Sequence, residues 1–312
     1  MSVAGVGEFG LIDRVTARLS YGPKVLLGPG DDAAVVAAPD ARVVASTDVL
    51  VEGRHFRRDW SGAYDIGRRA AAANLADVVA MGADPTALLV ALCVPAGLSA
   101  GWVEELADGI GAEASGVGAS VVGGDMSASP TLTIAVTALG DLAGRTPVSR
   151  AGARPGDLIA LAGRTGYAAA GFTVLSRGFR TPRLLVEAYR RPEVPYPAGP
   201  LAARLGATAM IDVSDGLLAD LGHVATASGV AIDVERDAFD VPPQMRDAAQ
   251  ALGVDPYAWL LTGGDDHALA AAFPPATVLP DGWGVIGRVT EGAGVTVDGA
   301  PFDGPAGWDH FR

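Results

Sequence analysis

Apolar residues along the chain fall into short runs of two spacings, and the two alternate. Gly7 to Leu19 and Asp65 to Met81 repeat with a helical period; the second is rich in alanine, stops at Gly82 and is followed by Pro85, as a helix end should be. Ser99 to Ser115 predicts a further helix with serine in the N-cap position. Between these, Val35-Val36 and Val43 to Ala45 predict neighbouring strands joined by a turn at Pro39-Asp40. Ala87 to Val94, Ala119 to Val122 and Leu132 to Leu139 predict more strands.

Residues 144–157 turn polar and are punctuated by Gly and Pro, which places a domain boundary there: an N-terminal domain over 1–148 and a C-terminal domain over 149–312. The alternation then resumes. Leu158 to Ala162, Thr208 to Ile211, Val230 to Val234 and Ala268 to Phe273 read as strands, and Tyr167 to Ser176 and Leu217 to Ala227 as helices. Pro192, Pro195, Pro197 and Pro200 predict an extended surface loop. Strands and helices in both halves make this a two-domain α/β (α+β) chain.

Composition narrows the function. The 312 residues suffice for two cores. The 49% hydrophobic content is cut by Gly, Pro and Asp into runs shorter than the roughly 20 residues of a membrane helix. The start, Met1 to Glu8, has no basic segment before an apolar one, so a soluble cytoplasmic protein without a membrane partner is expected. The single Cys93 excludes an internal disulfide and, within an apolar run, reads as a buried thiol. A formal net charge of −13 argues against nucleic acid as the main ligand, because a phosphate backbone needs a cationic patch. Lys24 is the only lysine, which excludes a Walker A loop and leaves no strand lysine of the protein-kinase kind. A nucleotide bound here must be neutralised by carboxylate-held Mg²⁺, arginine and backbone N–H groups.

The candidate chemistry is carboxylate chemistry. Asp31 and Asp32 follow the turn-forming Gly28-Pro29-Gly30, and Asp48 follows Ser46 and Thr47. Carboxylates brought together repel and call for a cation between them, although solvated turns account for the same residues. Asn74 and Asp77 share one face of an otherwise apolar helix, where a carboxylate is costly to bury unless paired or metal-bound. Gly123-Gly124-Asp125 follows a strand and reads as a turn open to a metal or phosphate, or as an ordinary turn. Gly163 to Gly166 leads into a helix and either presents N–H groups to an anion or simply connects strand to helix. Asp212-Val213-Ser214-Asp215 places two carboxylates and a hydroxyl at a strand-to-helix junction, where N-capping accounts for Ser214 or Asp215 but not Asp212. Gly263-Gly264-Asp265-Asp266-His267 repeats the Gly-Gly-Asp pattern, and His267 reads as a surface or strand residue because no second His or Cys is suitably spaced.

These motifs, in this order, closely resemble the thiamine-monophosphate kinase family of the aminoimidazole ribonucleotide synthetase superfamily. The resemblance runs from Gly7-Glu8-Phe9 to Gly307-Trp308-Asp309-His310-Phe311, and His55-Phe56 after Ser46-Thr47-Asp48 favours this family over its relatives. It implies an N-terminal sheet that joins that of a second copy into a barrel in a homodimer, a C-terminal α/β domain, and an ATP site in the cleft. It implies that Asp32, Ser46, Thr47, Asp48, Asp77, Asp125, Asp212 and Asp215 hold several Mg²⁺ ions. It further implies that Gly124, Asp125, Arg150 and Ser214 touch ATP, and that His55, Asp265 and Trp308 face thiamine phosphate. Two departures stand out. The family's usual Gly-Gly-Glu-Asp-Tyr-Glu-Leu is here Gly263-Gly264-Asp265-Asp266-His267-Ala268-Leu269, and Ser115 to Ser120 has no aromatic residue to stack near adenine. The implied reaction is ATP-dependent phosphorylation of thiamine phosphate to thiamine diphosphate. The alternatives are another ATP-dependent synthetase of the superfamily and a non-catalytic acidic module that binds divalent ions.

Overall fold

A computed structural model of the chain describes residues 2–6, 8–28 and 34–308. The acidic pair Asp31-Asp32 lies outside the described residues. The chain divides into two compact units, residues 1–78 with 83–144, and residues 79–82 with 145–312.

In the first unit, α1 (Val3–Val6) and α2 (Glu8–Thr16) precede a two-stranded ribbon of β1 (Val25–Leu27) and β2 (Val35–Val36). A four-stranded sheet follows, built from β3 (Val44–Val51), β4 (Asp84–Val94), β5 (Ser120–Ala128) and β6 (Thr133–Asp141) in the order β3-β6-β4-β5. Helices α3 (Ala63–Ala80) and α4 (Ala100–Gly116) connect its strands. The expected hairpin at Pro39-Asp40 does not form: β2 pairs with β1, while β3 pairs along its whole length with the distant β6. Burial drives this choice. Leu50 of β3 lies on the buried face that also takes Ile134, Val136 and Ala138 of β6 and Leu88 and Leu92 of β4.

The other face of this sheet is open within the unit. Its rows are Thr47·Thr137·Leu89, Val49·Ala135·Ala91 and Val51·Thr133·Cys93. Val49 is 47% and Leu89 39% exposed. Cys93, expected to be buried, is half-buried in the last of these rows, because period-2 alternation carries it away from the core that holds Leu92 and Val94.

The second unit is a seven-stranded sheet of order β13-β12-β9-β11-β7-β10-β8. Its strands are β7 (Leu158–Ala162), β8 (Ala209–Val213), β9 (Ala231–Val234), β10 (Ala268–Phe273), β11 (Trp283–Thr290), β12 (Gly294–Val297) and β13 (Ala300–Pro301). Around it lie α5 (Tyr167–Ser176), α6 (Arg183–Arg190), α7 (Ala198–Arg204), α8 (Leu217–Ser228), α9 (Pro243–Leu252) and α10 (Pro256–Thr262). Strands β8 and β10 are buried at every position; β10 is apolar throughout, whereas β8 carries the buried Asp212 within its apolar run. The expected proline loop is partly helical. Pro197 caps α7 and Pro200 sits in its first turn, where a missing N–H removes no helical bond.

Candidate functional site

In the first unit the site grows from the contact between β3 and α3. Asn74 is fully buried; its Oδ1 accepts the Asp48 backbone N–H at 2.9 Å and its Nδ2 donates to the Ala70 carbonyl at 3.0 Å. This clamps the strand to the helix where the carboxylate emerges. One turn further along α3, Asp77 Oδ2 accepts from Ser46 Oγ at 2.5 Å. Ser46, Asp48, Asn74 and Asp77 are thus brought together. Thr47 alternates to the other face, where its hydroxyl donates to the Val136 carbonyl at 3.0 Å and accepts from Thr137 at 3.1 Å. In the turn after β3, His55 Nδ1 accepts the Val51 N–H at 2.9 Å, which leaves the ring proton on Nε2.

Gly123, Gly124 and Asp125 lie inside β5, so the expected turn is a strand. The need for glycine at 124 comes from the neighbouring strand: a Cβ there would stand 1.9 Å from the Val90 carbonyl oxygen. Register puts Gly124 in the row of Asp48 but Asp125 in the row of Val49, so Asp48 and Asp125 stand on opposite faces. Gly123, Gly124 and Asp125 line a largely apolar cavity of about 690 Å³ together with Val103, Leu106 and Ile110.

In the second unit the site is the loop between β8 and α8. Gly216, at φ +132°, occupies the N-cap position of α8, so neither Ser214 nor Asp215 is spent on capping. The backbone N–H groups of Ser214, Asp215 and Gly216 all donate to one oxygen of Asp220, at 3.0, 3.1 and 3.1 Å. The Ser214 carbonyl accepts from the Asp265 N–H at 2.9 Å, and the Asp215 carbonyl from the Trp308 N–H at 2.8 Å. Gly264 lets the two loops touch: a Cβ there would meet the Ser214 oxygen at 2.0 Å. Ser214, Asp215, Asp265 and Trp308 therefore form one connected constellation, with Trp308 57% exposed. The structure does not bring the Arg150 backbone to it. The Arg150 carbonyl accepts from Ser228 Oγ, at the far end of α8.

His267 is buried rather than at the surface, and its Nδ1 donates to Asp212 Oδ2 at 3.0 Å. Two further carboxylates were missed from sequence. Asp266 is buried and accepts the Ala168 N–H in the first turn of α5; burial pushes its pKa up to about 7. Asp220 is buried on α8, and its pKa is pushed up to about 7, first by burial and then by Asp212. The signal for Asp220 was legible: a carboxylate set among leucines in Leu217-Leu218-Ala219-Asp220-Leu221, the same anomaly that singles out Asp77.

The donor set suits a hard cation. Ser46, Asp48 and Asp77 offer hydroxyl and carboxylate oxygens on one face, and Asp212 and Asp215 lie close enough to Asp220 to raise its proton affinity. Among the described residues no three carboxylate, imidazole or thiol groups converge into a closed cage. Mg²⁺ does not require one, since it commonly takes one or two carboxylates and fills its octahedron with water and phosphate oxygens.

Residues 30–142 match the family described as AIR synthase related protein, N-terminal domain, and residues 154–299 match the corresponding C-terminal domain. The chain is 48% identical to the thiamine-monophosphate kinase of Mycobacterium tuberculosis, over 98% of this chain and 92% of the relative. It is 39% identical to that of Corynebacterium glutamicum, over 99% and 95%. A solved structure described as AaThiL complexed with AMPPCP and TMP superposes with a TM-score of 0.82 at 32% identity, covering 100% of this chain and 99% of that one. The chain belongs to the thiamine-monophosphate kinases of the AIR synthase related family.

Proposed function

We propose that the protein transfers the γ-phosphoryl group of ATP to thiamine phosphate, giving thiamine diphosphate and ADP. A phosphate oxygen of the acceptor bonds to the γ-phosphorus as the bond from that phosphorus to the ADP oxygen breaks. What carries this reading is that full-length similarity to thiamine-monophosphate kinases coincides with oxygen-donor clusters at Ser46-Asp48-Asp77 and Asp212-Asp215.

The chemistry suits an acidic protein with one lysine. A phosphate monoester has a second pKa near ~6 and is already an anion at neutral pH, so no general base is required. The remaining task is to bring polyanions together in line. Asp32, Ser46, Thr47, Asp48, Asp77, Asp125, Asp212 and Asp215 are the residues we assign to holding Mg²⁺, with Thr47 the weakest member because its hydroxyl already donates to Val136. Mg²⁺, when bound, supplies charge neutralisation and orientation of the phosphate oxygens. Gly124 and Asp125, on the apolar cavity, together with Arg150 and Ser214, serve ATP. His55, Asp265 and the exposed Trp308 serve thiamine phosphate, an indole being suited to stacking on its rings.

The same reading gives residues 1–148 and 149–312 separate roles and makes the protein a homodimer of the cytoplasm, where ATP is supplied. The open face around Val49, Leu89 and Ala91 supports the dimer, because such a patch and the sheet's free edges need cover. No helix among the described residues is long and apolar enough to cross a membrane. The test is ADP release with and without thiamine phosphate across a Mg²⁺ titration. Release that requires both supports the reading; ATP hydrolysis indifferent to thiamine phosphate overturns it.

A further inference from the structure

The loop Ser214–Gly216 is held through its backbone. All its N–H groups end on one oxygen of Asp220, and the carbonyls of Ser214 and Asp215 accept from Asp265 and Trp308. These bonds use only backbone groups of the loop, which carries Ser214 and Asp215. They also hang the residues assigned to the acceptor from the loop that bears a residue assigned to the metal. We propose that Asp220 is a positioning residue that fixes this loop, and so sets together the metal-binding geometry of Asp215 and the acceptor-binding placement of Asp265 and Trp308.

The proposal rests on the phosphoryl-transfer reading of Asp215. A carboxylate accepting several backbone N–H bonds holds these residues in one conformation, and Gly216 at φ +132° marks a backbone only glycine adopts readily. No cap bond from a side chain of the loop competes for these N–H groups. Asp220 itself comes from α8, whose Leu217, Leu218 and Leu221 are buried, so it is anchored by the packing of that helix. Outer partners that orient a ligating carboxylate characteristically change metal affinity by about 10–100-fold when removed.

The experiment compares the full-length Asp220→Ala, Asp220→Asn, Asp220→Glu and Asp215→Asn proteins with wild type. It reads direct Mn²⁺ binding by electron paramagnetic resonance, the KM for thiamine phosphate, and melting. Asp220→Ala is expected to weaken Mn²⁺ binding by at least about tenfold and to raise the acceptor KM, both at once. Asp220→Asn, whose Oδ1 accepts the same N–H groups, is expected to restore most of both losses. If Asp220→Ala fails to fold, Asp220→Glu carries the test: it keeps the charge but moves the oxygen by one methylene, and weakened binding is again expected. Wild-type Mn²⁺ affinity in folded Asp220→Ala or Asp220→Glu overturns the proposal. So does an Asp220→Asn protein as impaired as Asp220→Ala, which would mean that charge and not placement acts. Wild-type Mn²⁺ binding by Asp215→Asn would instead overturn the underlying metal reading.

Discussion

Asn74 shows how a single buried amide places a catalytic candidate. It accepts from Asp48 and donates to Ala70 while wholly excluded from solvent, so Asn74→Ala should orphan a backbone N–H beside the site and cost about 1–3 kcal/mol of stability, read by denaturant unfolding. A loss near zero would mean that β3 does not depend on this clamp. Asp48 and Asp215 behave differently. Replacing either by Asn keeps size and hydrogen-bonding shape but removes the charge on which a hard cation depends. Melting should barely change while turnover at limiting Mg²⁺ falls by about a hundredfold or more, the several kcal/mol that cation neutralisation supplies. Near-normal turnover in both variants would end the metal assignment for these residues.

Among the elements, α5 offers a pH test. The buried Asp266 accepts the Ala168 N–H of this helix, and its pKa stands at about 7 against the usual 3.8. A carboxyl whose folded pKa is raised contributes stability that is complete in acid and is lost as pH climbs from about 4 through 7. Asp266→Asn lacks that titration. The wild type should therefore lose on the order of a few kcal/mol relative to the variant between pH 5 and 8, and parallel pH profiles of melting would contradict this. Elements were legible where their signals are local. Asp65 to Met81, rich in alanine and closed by Gly82, emerges as Ala63–Ala80. Strand pairing was not, because β3 finds β6 about 90 residues away through a shared buried face, which the turn residues Pro39-Asp40 cannot report. Helices opening on proline were hidden for a related reason: Pro243 and Pro256 punctuate the sequence like loop residues yet start α9 and α10. At the site, Asp212, Asp215 and Asp265 were visible as acidic motifs. The Asp212–His267 pair was not, because its two members lie far apart in sequence and only the fold joins them.

For the whole molecule, the open face of the first unit's sheet carries the dimer proposal. Placing a charge there, as in Val49→Asp with Leu89→Asp, should convert a dimer into a monomer at micromolar concentration in sedimentation, since each side chain is exposed in the single chain and needs no room in its core. A wild-type protein that sediments as a monomer would contradict the dimer outright. A single lysine excludes a Walker A loop, and the oxygen clusters supply a route to a nucleotide through a bound cation. That route makes one claim above the rest: the terminal phosphate of ATP ends on thiamine phosphate. Incubation with γ-labelled ATP, Mg²⁺ and thiamine phosphate measures it directly. The label is expected in thiamine diphosphate, one equivalent for each ADP formed and none without the acceptor; label recovered as free phosphate, at a rate the acceptor does not change, would contradict it.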